Sequence, residues 1–75
     1  MTIKVTGENA FSVPTHSFII GQSAEGYALN YGVNGTDWTE YETPVDADTD
    51  CVVNFGIPNM FYKLVGNNSE VEIKW

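Results

Sequence analysis

Hydrophobic and polar residues alternate with a period of two along most of this chain. The clearest case is "EVEIKW" (70–75), where Val71, Ile73 and Trp75 fall on one side and charged residues on the other. Because successive side chains of a strand point to opposite faces, this pattern predicts a β-strand with one buried face. Comparable runs predict seven strands, at 2–6, 16–22, 27–33, 37–42, 51–57, 60–66 and 70–75, and no stretch is typical of a helix.

Turn-forming residues separate these runs. Asn34-Gly35 stands between the third and fourth runs and predicts a tight hairpin, since both residues tolerate positive φ. Gly66, Asn67, Asn68 and Ser69 predict the turn before the last strand. A proline cannot donate to a ladder, so strand boundaries are expected at Pro14, Pro44 and Pro58. Short strands with turns throughout predict a single all-β domain over residues 1–75, either a sandwich or a small barrel.

Strand parity predicts which side chains fill the core. The inward set is Ile3, Val5, Phe18, Ile20, Leu29, Tyr31, Trp38, Val53, Phe55, Tyr62, Leu64, Val71 and Ile73. Tyr31 and Trp38 are placed inside because aromatic residues of small sandwiches usually fill the interior. The segment "ENAFSVPTH" (8–16), with Phe11 and Val13, has no evident place in that core. Either this segment and the terminal Trp75 fold back onto the sandwich, or they are adhesive elements of an assembly.

The amino-acid composition excludes some classes of function and favours others. Ten acidic residues face three lysines and no arginine, a formal charge of −7, so nucleic acid would be repelled. Such a surface suits a basic protein partner, cations or plain solubility. The single Cys51 cannot form an internal disulfide, and neither a signal peptide nor a membrane span is evident, which favours folding in a reducing cytoplasm. The small core favours a binding or structural module over an enzyme.

Three groups of residues are candidates for chemistry. The first group is Asp46, Asp48 and Asp50, which either converge on a calcium ion or form a solvated acidic loop. The EF-hand pattern is not met, because Cys51 and Ile57 occupy the positions of its glycine and glutamate. His16 and Cys51 are a minimal nucleophile pair without a flanking motif, so no catalytic residue and no cofactor is expected. Exposed aromatics beside Asn30 or Asn54 would suit a sugar; the candidates are Tyr41, Trp75, Phe11 and Tyr27.

Two resemblances add to these predictions. "YALNYGVNGTDWTEYE" and "VVNFGIPNMFYKLVGN" resemble strands of fibronectin-type-III and related Ig-like modules, which implies an Ig-like antiparallel β-sandwich of about seven strands. The pattern "Tyr-x-Leu-x-Tyr…Asn-Gly-x-x-Trp-Thr", closing with "Tyr-x-Leu-x-Gly-Asn…Glu-Val-x-Ile-x-Trp", is similar to small Ig-like virion proteins of gut bacteriophages, particularly the crAss-like group. Here it runs from Tyr27 to Thr39 and from Tyr62 to Trp75.

The second resemblance implies a non-catalytic structural protein of the virion, assembled in the host cytoplasm as a capsid auxiliary or decoration subunit. Its expected partners are the major capsid protein, a head-fibre protein or further copies of itself, and neither nucleic acid nor membrane. The residues themselves suggest Phe11, Val13, Tyr41 and Trp75 as partner-binding positions. The alternative function is a small carbohydrate- or ligand-binding β-sandwich module.

Overall fold

Eight β-strands form two antiparallel sheets in the computed structural model, which describes residues 1–41, 44–54 and 58–75. The strands are β1 (Thr2–Thr6), β2 (Phe11–Ser12), β3 (Phe18–Ile20), β4 (Ala28–Gly32), β5 (Thr39–Glu40), β6 (Cys51–Val53), β7 (Phe61–Val65) and β8 (Glu70–Lys74). One sheet has the order β1-β8-β3-β6 and the other β2-β7-β4-β5. The predicted all-β antiparallel sandwich is therefore confirmed, with eight strands where seven were expected. The additional strand is β2.

The chain crosses between the two sheets at almost every connection. Only β4 and β5 follow each other within one sheet, where Asn30 pairs with Glu40 and Tyr31 with Thr39. Two interleaved four-stranded sheets in this order are a jelly roll, the eight-stranded double Greek key. An Ig constant-type domain instead places its strands in the order ABED over CFG. The sandwich is thus as expected, and its strand order is that of a jelly roll.

The core lies between the two sheets and largely follows the predicted parity. Of the predicted inward set, Ile3 and Tyr31 are half-buried against the core, Trp38 is half-buried, and Phe55 lies outside the described residues. The remaining predicted members are buried: Val5, Phe18, Ile20, Leu29, Val53, Tyr62, Leu64, Val71 and Ile73. The core also contains four residues that parity did not place there: Phe11, Val13, Tyr27 and Met60.

Trp38 was expected inside and is instead on the outer face of its sheet. A two-residue Asn34-Gly35 turn would set Trp38 opposite Tyr31, on the same face. In the structure Thr39 is opposite Tyr31, because the side-chain oxygen of Asn34 accepts hydrogen bonds from the backbone N–H groups of Thr36 and Asp37, both at 3.0 Å. The loop is therefore longer than the predicted turn. A slip of one residue moves a side chain to the opposite face of a strand.

A polar network closes one end of the sandwich. The side chain of Asn67 is buried, accepts a hydrogen bond from the Ser23 hydroxyl at 2.8 Å, and donates to the backbone oxygens of Gly7 at 3.0 Å and Ser69 at 2.8 Å. The carboxylate of Glu25 accepts hydrogen bonds from the N–H groups of residues 68 and 69. Asn67 thus joins three connections between strands, and its buried polar atoms are paired, as stability requires.

Candidate functional site: an apolar patch on one outer face

The predicted partner-binding residues separate into two groups in the structure. Phe11 is 7% exposed and Val13 is fully buried, so the segment that lacked an evident place in the core folds back into it. The ring of Phe11 stacks on Tyr62, with centroids 5.6 Å apart, and meets Phe18 edge-on at 6.2 Å. These two side chains are closed to a partner. The reason is that β2, which sequence patterning missed, pairs with β7 and directs Phe11 inward, and Val13 follows β2 directly and is buried as well.

Tyr41 and Trp75 are half-buried against the core and keep part of their surface exposed. The N–H of Tyr41 donates to the carbonyl of Leu29 at 2.8 Å, which holds it beside β4. Trp75 follows β8, and its N–H donates to the carbonyl of Met1 at 3.0 Å, while the amino nitrogen of Met1 donates to the Trp75 carbonyl at 2.7 Å. Trp75 is therefore held at the end of the β1-β8-β3-β6 sheet.

An exposed apolar patch lies at one end of this sheet, where Ile19 and Val52 on the outer face adjoin the two chain-terminal residues, and we define it as Met1, Ile19, Val52 and Trp75. Ile19 lies opposite Val52 of β6 on one side and Lys74 of β8 on the other. Met1 is 81% exposed, Val52 61% and Ile19 41%. The four residues border a cleft of about 540 Å³, whose lining also includes Lys74 but no aspartate or glutamate. A contiguous exposed apolar surface of this kind is typical of an interaction site.

The sequence contains a pattern that indicates this patch, although the assignment of core residues by parity did not consider it. Both "FII" (18–20) and "CVV" (51–53) are runs of three apolar residues in strands that alternate between core and solvent. The middle residue of each run must then point outward. Because Ile19 and Val52 lie opposite each other, the two outward residues combine into one surface.

Charged side chains border the patch further along the same sheet. Lys74 lies 3.5 Å from Glu72, and Lys4 lies 3.7 Å from Glu70. All four side chains are largely exposed, so each pair contributes little to stability in water. A second, polar cleft of about 380 Å³ lies among these residues and reaches Asp50. The outer face thus changes from apolar at the Trp75 end to charged at the other end.

The candidate calcium ligands lie in an exposed loop. Asp46, Asp48 and Asp50 are all exposed and lie in the connection between β5 and β6, which turns at Asp48 with φ of 59°. Among the described residues, no group of three histidine, cysteine, aspartate or glutamate side chains could hold a metal ion.

The candidate nucleophile pair was His16 and Cys51. Cys51 of β6 lies opposite Ile20 of β3, whereas His16 precedes β3 by two residues. Burial raises the pKa of the Cys51 thiol, with a smaller opposing effect from Tyr27. Since only the thiolate is a good nucleophile, the raised pKa keeps the nucleophilic fraction of Cys51 small at neutral pH.

Tyr27 is buried beside Cys51 rather than exposed to a ligand. The position is fixed by an isolated bridge, in which Tyr27 and Val45 exchange backbone hydrogen bonds at 2.8 and 3.0 Å. No oxygen or nitrogen of the described residues accepts a hydrogen bond from the Tyr27 hydroxyl, and the weakly polar thiol of Cys51 is its neighbour. Burial, reinforced by the charges of Cys51 and Asp50, raises the pKa of Tyr27 far above its usual range.

The described residues form no helix, and so none that is long and apolar enough to cross a membrane. Comparison of this chain with protein-family models, with curated proteins and with solved structures found no match.

Proposed function

We propose that this protein is a non-catalytic structural subunit of a bacteriophage virion, a capsid auxiliary or decoration protein that docks on the capsid or a head fibre through the apolar patch. The observation that carries the proposal is the exposure of Ile19 and Val52 as neighbours on a regular sheet face. Fixed strands present these side chains, so docking would cost little ordering of the chain.

The fold and the charge of the chain support the same proposal. Jelly rolls include viral capsid domains, which is an analogy at the level of fold and does not by itself assign a function. The resemblance of the Tyr27–Thr39 and Tyr62–Trp75 patterns to virion modules points the same way. With ten acidic residues and three lysines, the chain as a whole would be attracted to a basic partner.

The size of the patch sets the strength of docking. Fully burying a valine or isoleucine side chain contributes about 1.5–3 kcal/mol, and Ile19 and Val52 each have roughly half of their surface left to bury, so each would contribute about 1 kcal/mol. One copy on its own would therefore bind weakly. Many copies on a repetitive surface, or a partner that also covers Met1 and Trp75, would give stable attachment.

The test is a density gradient of lysate from the source, with each fraction probed for this protein. Wild type should travel with large particles and stay with them at moderate salt. Val52→Asp should move to the light fractions, because the substitution places a charge in the docked surface. Val33→Asp is the matched control: Val33 is 73% exposed in the loop between β4 and β5, and its substitution should leave the protein on particles. Wild type in the light fractions, or equal behaviour of the two folded variants, would contradict the proposal.

A further inference from the structure

The outer face of the other sheet, β2-β7-β4-β5, carries a pair of aromatic side chains on either side of a glycine. Phe61 of β7 lies opposite Gly32 of β4 and is 38% exposed, whereas its neighbour Tyr62 points into the core. Trp38 immediately precedes β5, beside Gly32 on the side away from Phe61. Adjacent strands are about 4.8 Å apart, so the Cα atoms of Phe61 and Trp38 are separated by about 10 Å.

Gly32 is required for this arrangement. A Cβ atom at Gly32 would collide with the carbonyl oxygen of Asp37 and would lie 3.7 Å from Cε3 of Trp38. The absence of a side chain lets the Trp38 ring and the Asp37 backbone pack against Gly32, which is buried. We define Phe61 and the half-buried Trp38 as the aromatic platform.

A row of polar side chains borders the platform. Asn30 of β4 lies opposite Lys63 of β7 on one side and opposite Glu40 of β5 on the other. The row therefore offers an ammonium donor, an amide that both donates and accepts, and a carboxylate acceptor, all on the outer face. The Nζ atom of Lys63 lies 4.6 Å from the centroid of the Trp38 ring. Whereas Lys4 and Lys74 each contact a glutamate, Lys63 makes no ion pair with any described residue.

We infer that the aromatic platform and its polar row bind a neutral saccharide. A pyranose ring has an apolar face of C–H groups and a rim of hydroxyl groups, and so needs an aromatic surface with donors and acceptors alongside, which this face provides. The electron-rich ring face that attracts the Lys63 ammonium also attracts polarised C–H groups. A polyanionic glycan is disfavoured, because the chain carries ten acidic residues against three lysines. This inference is independent of the docking function proposed for the opposite sheet.

The geometry also sets the size and strength of the complex. Two aromatic residues whose Cα atoms are about 10 Å apart, with three polar groups, match about two sugar units of a chain laid across the strands. Because an open face contacts few atoms of the saccharide, we expect a dissociation constant for the saccharide on the order of 1 mM. Lys63 would leave the Trp38 ring when a sugar stacks there, and its ammonium would then donate to a sugar hydroxyl.

The experiment uses the full chain carrying Trp75→Phe, which leaves Trp38 as the only indole. Linear hexasaccharides of β-1,4-glucose, β-1,4-N-acetylglucosamine and α-1,6-mannose are titrated while Trp38 emission and its indole N–H resonance are followed. At least one should shift both signals in a saturable manner, on the order of millimolar, and a hyaluronan hexasaccharide should bind more weakly. Phe61→Ala should weaken binding at least fivefold, and Asn30→Ala at least threefold.

The control substitution is Val52→Ala, which removes apolar surface from the opposite sheet and should leave the titration unchanged. Far-UV circular dichroism confirms that each variant is folded before it is titrated. The inference is overturned if none of the three neutral hexasaccharides shifts the Trp38 signals. It is also overturned if binding by folded Phe61→Ala equals that of the Val52→Ala control, or if hyaluronan binds most tightly.

Discussion

Phe11→Ala tests the most consequential correction made by the structure, which moves this residue from an adhesive segment into the core. The Phe11 ring contacts both Tyr62 and Phe18, whose own centroids are 4.8 Å apart, so the three rings form one cluster. Removing a buried phenylalanine side chain costs about 3–5 kcal/mol. A domain of this length has roughly 4–11 kcal/mol of stability in total. The variant should therefore be close to unfolding at 25 °C.

Phe61→Ala is the matched control for this substitution. Phe61 lies opposite Ser12, the residue next to Phe11, and its side chain is on the outer face of the same strand pair. The same chemical change there should cost less than about 1 kcal/mol, as surface substitutions usually do. Phe11→Leu keeps most of the apolar volume and should cost about 1–2 kcal/mol, which remains measurable if Phe11→Ala does not fold.

Urea denaturation followed by tyrosine and tryptophan fluorescence measures all three variants. The midpoint should fall steeply for Phe11→Ala and slightly for Phe61→Ala, with an unchanged slope wherever a folded baseline exists. If the two alanine variants lost equal stability, or if Phe11→Ala lost less than about 1 kcal/mol, the Phe11 ring would not be a core element. The segment 8–16 would then be available to a partner after all.

Three further predictions follow from individual contacts. Asn67→Ala should lower the free energy of unfolding by about 2–3 kcal/mol, because it leaves the Ser23 hydroxyl and two backbone carbonyls without their partner. Urea denaturation measures this loss, and a loss below about 0.5 kcal/mol would show that water replaces the amide. Burial raises the pKa of Tyr27 above the value of about 10 in unfolded chains, so its neutral form stabilises the fold fully below pH 10 and this contribution is lost as the pH rises further. Tyr27→Phe should therefore flatten the alkaline fall in melting temperature, and an identical fall in both proteins would refute this. Millimolar calcium should leave the melting temperature unchanged, since the acidic loop does not converge; a rise of several degrees would indicate a site.

Sequence patterning predicts this fold well wherever core and solvent faces alternate without interruption. In β8, Val71 and Ile73 are buried and the glutamates between and beside them are exposed, as expected. The fold class follows from such strands and from the prolines, which all lie outside the eight strands. Strand order does not follow, because β2 has only two residues and pairs with β7, fifty residues along the chain. Without β2, the second sheet of a jelly roll cannot be recognised.

The two candidate surfaces were less accessible to sequence reasoning, for different physical reasons. Trp38 was predicted to lie inside, but one additional residue in the hairpin loop turns its side chain to the outer face. The side-chain hydrogen bonds of Asn34 determine the length of that loop. Ile19 and Val52 are adjacent only because β3 pairs with β6, which is a long-range pairing. Local pattern identifies an outward apolar residue, whereas the three-dimensional pairing decides whether two such residues form a patch.

Oxidative footprinting of free and particle-bound protein tests the central claim, that the outer face of the β1-β8-β3-β6 sheet is the docking surface. Hydroxyl radicals modify methionine and aromatic side chains in proportion to their exposure, and Met1 and Trp75 report on the patch while Trp38 and Phe61 report on the opposite face. We expect Met1 and Trp75 to be protected on particles and the other two to react as in the free protein. Unchanged reactivity of Met1 and Trp75, or protection of Phe61 and Trp38 instead, would contradict the claim.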